Sequence, residues 1–207
     1  TTGISNIAIG ETAMDALTTG KWNVGIGKNA LGASTTGCLN IAIGNTALAG
    51  ADTTGNGNVA IGYAAVDALT TGACNIAMGY NALGAATTGV SNIAIGELAL
   101  GAGVTIIGGG ACGCDNIAIG KAALTAVTQG SNNIGIGLTS GDALTTGTDN
   151  IAIGRLALSA ATDNTDNVAI GRSALAVSAN DADYNVAIGF TAMGAGDVSG
   201  FNNVAIG

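Results

Sequence analysis

Asn75-Ile76-Ala77-Met78-Gly79 is one copy of the pentad Asn-[Ile/Val]-[Ala/Gly]-[Ile/Met]-Gly, which decides how this 207-residue chain folds. Successive copies begin 17 or 18 residues apart, except for one step of 24 residues. A fixed period of this length is typical of a solenoid, in which each repeat forms one coil and packs on its neighbours. The twelve copies begin at Asn6, Asn23, Asn40, Asn58, Asn75, Asn92, Asn116, Asn133, Asn150, Asn167, Asn185 and Asn203.

Each pentad predicts a short β-strand followed by a corner. With the Asn as position one, Ile, Val or Met stands at positions two and four, and these residues favour strands. The Gly at position five can adopt the positive φ of a tight corner. An Ala-Leu pair at positions eight and nine predicts a second short strand, and Thr-Thr-Gly predicts the return. The corner glycines are Gly10, Gly27, Gly44, Gly62, Gly79, Gly96, Gly120, Gly137, Gly154, Gly171, Gly189 and Gly207.

The distribution of charge indicates that the strands are buried on both sides. All eighteen Asp, Glu, Lys and Arg residues fall outside positions one to five, eight and nine. Side chains alternate between the two faces of a strand. We expect the β-branched residues to fill the coil, and the Asn, Ala and Gly face to meet a second copy of the chain. The sequence therefore predicts a homo-oligomer.

The Asn at position one is predicted to form a structural ladder. Amide side chains stacked at one coil spacing can hydrogen bond to one another along a rod. Because buried polar groups normally satisfy one another, we interpret all twelve Asn residues as structural and not as ligand-binding.

The whole chain, residues 1–207, is predicted to be one repetitive all-β segment with an insertion at 104–115 that loops out. It begins inside a repeat and stops at the end of a pentad, so we expect a fragment of a longer fibre. With about 4.8 Å per coil, about twelve coils give a rod section roughly 55 Å long.

The repeats resemble two known groups. Asn58-Val59-Ala60-Ile61-Gly62 with Ala65, and Asn167–Gly171 with Ala174, resemble the head repeats of trimeric autotransporter adhesins (the YadA-like head). The longer unit from Asn75 to Gly89 is similar to repeats in bacteriophage tail fibres. Both resemblances imply a left-handed parallel β-roll, assembled as an elongated homotrimer and displayed on a virion or cell surface.

Composition argues against several other functions. A net charge of −8 with five basic residues disfavours nucleic acid, and no apolar run approaches the ~20 residues of a membrane span. With no His, Ser-His and Cys-His catalysis are excluded. Gly25–Ala30 and Gly108–Gly113 fit dinucleotide patterns without the strand-to-helix context that such sites need. We expect no enzyme activity and no cofactor.

The four cysteines leave their roles open. Cys38 and Cys114 lie four coils apart, about 19 Å, which is beyond disulfide reach within one chain and leaves a disulfide between chains open. Cys112 and Cys114 are separated by one residue and lack the second pair of a zinc site, although a threefold axis could supply further ligands. Cys74 precedes a pentad Asn directly.

The leading functional hypothesis is a trimeric shaft or head of a bacteriophage tail fibre involved in host attachment, with self-association and a host cell-surface receptor as partners. The alternatives are a bacterial surface adhesin, a self-assembling extracellular filament and an ice-binding solenoid. Ice binding would use a ladder of Thr side chains. Because adjacent residues of a strand point to opposite faces, only one Thr of each pair can face outward. The Thr pairs are 18–19, 35–36, 53–54, 70–71 and 87–88.

Overall fold

The protein is a parallel β-solenoid built from twelve strands. The computed structural model describes residues 2–50, 52–101, 113–177, 182–195 and 200–207. In these residues every strand is the central three residues of a pentad, and none of them is helical. The strands are β1 (Ile7–Ile9), β2 (Val24–Ile26), β3 (Ile41–Ile43), β4 (Val59–Ile61), β5 (Ile76–Met78), β6 (Ile93–Ile95), β7 (Ile117–Ile119), β8 (Ile134–Ile136), β9 (Ile151–Ile153), β10 (Val168–Ile170), β11 (Val186–Ile188) and β12 (Val204–Ile206).

All twelve strands form one parallel sheet whose spatial order follows the chain. Pairing is in register, so that each pentad position lies beside the same position of the next coil. The Ile7 N–H donates to the Asn23 carbonyl over 2.9 Å, and the Gly27 N–H donates to the Ile9 carbonyl over 2.8 Å. Twelve strands connected in this way make eleven full turns, which confirms the predicted parallel solenoid.

The 24-residue step does not interrupt the sheet. β6 pairs with β7 in the same register as every other pair, with Ile93 beside Ile117 and Ile95 beside Ile119. The Asn116 N–H also donates to the Asn92 side-chain oxygen over 3.0 Å. Residues 102–112, which hold most of the predicted insertion, lie outside the described residues.

The prediction of which strand face fills the coil is wrong. Position three points inward, and Ala42, Ala60, Ala77 and Ala94 have no exposed surface. Positions two and four point outward, as in β4 and β6, where both are partly exposed. The inversion has a steric cause: a Cβ added to Gly135 at position three would lie 2.6 Å from Cγ of Leu124.

The buried leucines at position nine explain why only small residues fit inward on the strand. Leu31, Leu48, Leu83, Leu100 and their equivalents are fully buried and occupy the narrow interior. Protein interiors are close-packed, so an Ile at position three would compete with this leucine column. The small residues therefore line the inside of the strand, and the β-branched residues are left on the outside.

The predicted second strand is also wrong. Positions six to eleven form turns, in which positions seven and nine have positive φ, such as 51° at Asn81 and 52° at Leu83. Hydrogen bonds between coils hold these turns: the Asn81 N–H donates to the Tyr63 carbonyl, and the Leu83 N–H donates to the Ala99 carbonyl. Tertiary contacts thereby override the ordinary preference against left-handed backbone at leucine.

Candidate interaction surface

The outward strand face is a continuous apolar surface along the rod, which we call the outer face. It consists of the first and third residues of each strand, all Ile, Val or Met. Ile41, Ile76, Met78 and Ile119 are 36 to 41% exposed although neighbouring coils flank them on both sides. Exposed apolar area costs roughly 25 cal/mol per Å². A surface of this kind is typical of a protein–protein contact.

Two columns of exposed residues border the outer face. Column six contains the residue that follows each corner glycine, and several of its members contact one another from coil to coil. Glu11 pairs with Lys28 over 3.1 Å and Glu97 pairs with Lys121 over 3.1 Å. The column is Glu11, Lys28, Asn45, Tyr63, Tyr80, Glu97, Lys121, Leu138, Arg155, Arg172 and Phe190.

Aromatic residues of column six also contact each other or a cation. The Tyr63 and Tyr80 rings stack with centroids 5.5 Å apart and planes 7° apart. The Arg172 guanidinium lies 5.4 Å from the centre of the Phe190 ring. The 17-residue spacing between the two tyrosines equals one coil, and this spacing is the sequence signal from which their stacking could be predicted.

Column zero contains the residue that precedes each pentad Asn, on the opposite border. These residues have φ near +60°, and all except Gly57 are exposed. The column is Ser5, Trp22, Leu39, Gly57, Cys74, Ser91, Asp115, Asn132, Asp149, Asp166, Tyr184 and Asn202. Its acidic members are Asp115, Asp149 and Asp166.

A shallow groove of about 410 Å³ lies beside the tyrosine pair. Asn29, Asn81 and Asp67 contribute polar groups to its lining. Burial raises the pKa of Asp67, and the hydrogen bond from its own backbone N–H offsets part of that shift. The groove therefore combines one carboxylate and two amides with the tyrosine pair in its lining.

The Asn residues at position one are hydrogen bonded to one another along the interior. Each Asn N–H from Asn23 onward donates to the side-chain oxygen of the preceding Asn, for example 2.9 Å from Asn23 to Asn6. The amide group of Asn133 donates to the Asn116 oxygen and to the Gly147 carbonyl. From Asn23 to Asn185 these residues are at most 1% exposed. They join coils and offer no accessible group to a ligand.

The corner glycines at position five have φ between +129° and +140°. At Gly79 an added Cβ would lie 2.7 Å from the carbonyl carbon and oxygen of Gly96. Both the backbone conformation and the close approach of the next coil therefore require glycine at these corners. Gly27, in the dinucleotide-like stretch, is one of these corners and follows β2 without a helix after it.

The cysteines differ in state. Cys38 and Cys74 are free thiols, whereas Cys114 is disulfide-bonded. Cys112 lies outside the described residues. In the described part of the chain, no group of three or more Cys, Asp or Glu side chains could hold a metal ion. As a disulfide sulfur, Cys114 is not available as a thiolate ligand.

Hydroxyls of the Thr pairs take part in coil stacking. The Thr18 hydroxyl donates to the Thr35 carbonyl over 3.0 Å, and the Thr70 hydroxyl donates to the Thr87 carbonyl over 2.9 Å. The first Thr of these pairs is thereby engaged within the protein. The second, such as Thr19 or Thr71, is exposed.

The described residues contain no helix with the length and apolarity needed to cross a bilayer. No protein-family model matches the chain, and neither a curated protein nor a solved structure matches it.

Proposed function

We propose that this chain is a structural segment of an elongated homotrimeric fibre, the shaft or head of a bacteriophage tail fibre involved in host attachment. In this proposal the coil is left-handed, three rods meet along their outer faces, and the fibre projects from a virion. A bacterial surface adhesin is the alternative within the same structural class. The resemblance of the Asn75–Gly89 unit to fibre repeats supports the choice of the viral setting.

The outer face is the observation that carries the proposal. Eleven coil steps of about 4.8 Å give it a length of about 53 Å, and the span from column zero to column six gives a width of about 20 Å. The face therefore covers about 1,000 Å² per chain, with the apolar strip along its centre. Stable interfaces bury about 800 Å² per partner, so the area of the outer face is comparable with that of one such interface.

The chemistry of the chain supports a structural role. The sequence contains no His, and the polar side chains that recur in every coil, the Asn residues, are used within the solenoid. Rigid repetitive rods provide extended surfaces and spacing. A receptor on the host surface would be contacted by exposed residues beside the outer face or by other parts of the fibre.

Sedimentation velocity of the purified chain tests this function, because it gives mass and shape together. We expect a species of about 59 kDa, three times the 19.6 kDa chain, with the high frictional ratio of a rod. A 19.6 kDa species at all accessible concentrations would contradict the proposal. Negative-stain images of the same sample should show rods and not spheres.

A further inference from the structure

The two columns beside the outer face carry opposite charges in the same coils. Asp149 and Arg155 flank β9, and Asp166 and Arg172 flank β10. All four side chains are exposed. Among the described residues the ion pairs are Glu11–Lys28 and Glu97–Lys121, so none of these four charges is paired with another described residue.

Within each column, the same charges are stacked on like charges. Asp149 and Asp166 are one coil apart, as are Arg155 and Arg172, and neighbouring coils in a parallel sheet are about 4.8 Å apart. Like charges directly opposite on neighbouring strands are destabilising. Elsewhere in column six, Glu11–Lys28 and Glu97–Lys121 place opposite charges on neighbouring coils. The arrangement at β9 and β10 is therefore unfavourable in a single chain and complementary to a surface of the opposite sign.

A second copy of the chain provides such a surface in one orientation. If copies are related by rotation about an axis parallel to the rod, column zero of one copy meets column six of the next copy at the same level. If two copies instead face each other with antiparallel rods, column zero meets column zero and column six meets column six. Only the parallel arrangement brings the acidic pair against the basic pair.

Three other coils are compatible with the same arrangement, although Lys28 and Lys121 also pair with Glu11 and Glu97 of their own chain. Asp115 and Lys121 flank β7, Trp22 and Lys28 flank β2, and Tyr184 and Phe190 flank β11. These are an acid–base combination, a combination suited to a cation–π contact, and an aromatic pair. No coil has like charges in the two columns.

We propose that copies of this chain associate in parallel and in register, with Asp149 and Asp166 of one copy pairing with Arg155 and Arg172 of the next. This inference rests on the proposed self-association through the outer face and specifies its polarity and register. Electrostatic complementarity is well suited to this task, because it fixes register and suppresses wrong arrangements.

Charge reversal tests the pairing. The variants are D149R/D166R, R155D/R172D and the quadruple variant with all four changes, compared by sedimentation over a concentration series. We expect each double variant to require at least a roughly tenfold higher concentration for half-assembly, since like charges then meet. The quadruple variant should return to within about threefold of the wild type, because the pairs are restored with exchanged signs.

A matched control separates pairing from net charge. D15R/D163R changes two exposed carboxylates outside both columns and shifts the net charge by the same amount as D149R/D166R; it should assemble like the wild type. If the wild type assembles and both column variants assemble equally well, the pairing is refuted while the proposed self-association stands. The pairing is also refuted if the quadruple variant does not regain wild-type assembly while circular dichroism shows a wild-type fold. A monomeric wild type overturns both proposals.

Discussion

Replacing Asn133 with Ala tests the hydrogen-bonded ladder of interior Asn side chains. Asn133 has no exposed surface. Its side-chain oxygen accepts the Asn150 N–H over 3.1 Å, and its amide group donates to the Gly147 carbonyl over 2.8 Å. Substitution by alanine leaves the Asn150 N–H and the Gly147 carbonyl without these partners. Neither group has another hydrogen bond in the described residues.

The expected cost follows from those two groups. Other bonds survive, since the Asn150 amide group still donates to the Thr148 and Asn164 carbonyls. A buried polar group left unsatisfied costs about 1–3 kcal/mol, so the two orphaned groups predict a loss of about 2–6 kcal/mol. Asn45→Ala is the matched control, because Asn45 is an exposed member of column six; it should change the free energy of unfolding by less than about 0.5 kcal/mol.

Urea unfolding followed by circular dichroism measures the difference, at one fixed protein concentration because assembly adds to apparent stability. Hydrogen exchange adds a local readout, since the Asn150 amide should lose its protection. Equal unfolding midpoints for Asn133→Ala and Asn45→Ala would refute the view that the Asn side chains hold successive coils together.

Three further substitutions test the corner, the core and a buried carboxylate, with thermal or urea unfolding as the measurement. Gly79→Ala should destabilise by about 2–4 kcal/mol through backbone strain and contact with Gly96. Gly57→Ala should cost only about 1–2 kcal/mol for its left-handed backbone, because the new Cβ would meet only the Cys74 sulfur at 3.8 Å. Equal losses would contradict the corner geometry. Leu83→Ala should cost about 2–5 kcal/mol because it empties a fully buried site, and a loss below 1 kcal/mol would contradict the packed interior. Asp142→Asn should stabilise the protein at pH 7, because burial raises the pKa of Asp142 and one carboxylate oxygen lacks a partner. A carboxyl with a raised pKa contributes stability below its unfolded pKa, and that stability is lost as pH rises through the folded pKa. The advantage of Asn over Asp should therefore disappear near pH 3. An advantage that does not change with pH would contradict the burial of the charged carboxylate as its cause.

The spacing of the pentads was sufficient to predict the strands, their parallel stacking and the solenoid. β1 to β12 fall on the predicted pentads, because β-branched residues and a fixed period both specify them. Alternation also predicted correctly that positions two and four share one face. It could not identify which face is inside, since a period of two is the same for both choices.

Side-chain packing determines which face of the strand lies inside the coil, and the alternation of residue types carries no information about that packing. Leu83 and its equivalents enter the coil from the turn, so only Ala or Gly fits at position three of the strand. The turn itself was predicted as a strand because positive φ at Asn81 and Leu83 contradicts residue preference. Hydrogen bonds between coils stabilise that backbone, and they depend on the assembled solenoid.

The borders of the outer face could have been found from the sequence with the correct orientation of the strand. Asp149 and Arg155 stand two positions outside the β-branched residues of the same pentad, as do Asp166 and Arg172. Once positions two and four are outside, these charges flank an exposed apolar strip. If the strand faces are assigned the other way round, these charges do not border an exposed apolar strip.

Self-association through the outer face is tested most directly by the sedimentation mass of Ile93→Asp/Ile95→Asp beside that of the wild type. Both residues of β6 point outward, so the substitution leaves the interior unchanged and places two carboxylates on the proposed interface. Burying unpaired charges costs several kcal/mol each. We expect the wild type to sediment as an assembly, and the variant to sediment as the 19.6 kDa chain with an unchanged circular dichroism spectrum. A variant that keeps the mass of the wild-type assembly would show that copies associate through some other surface.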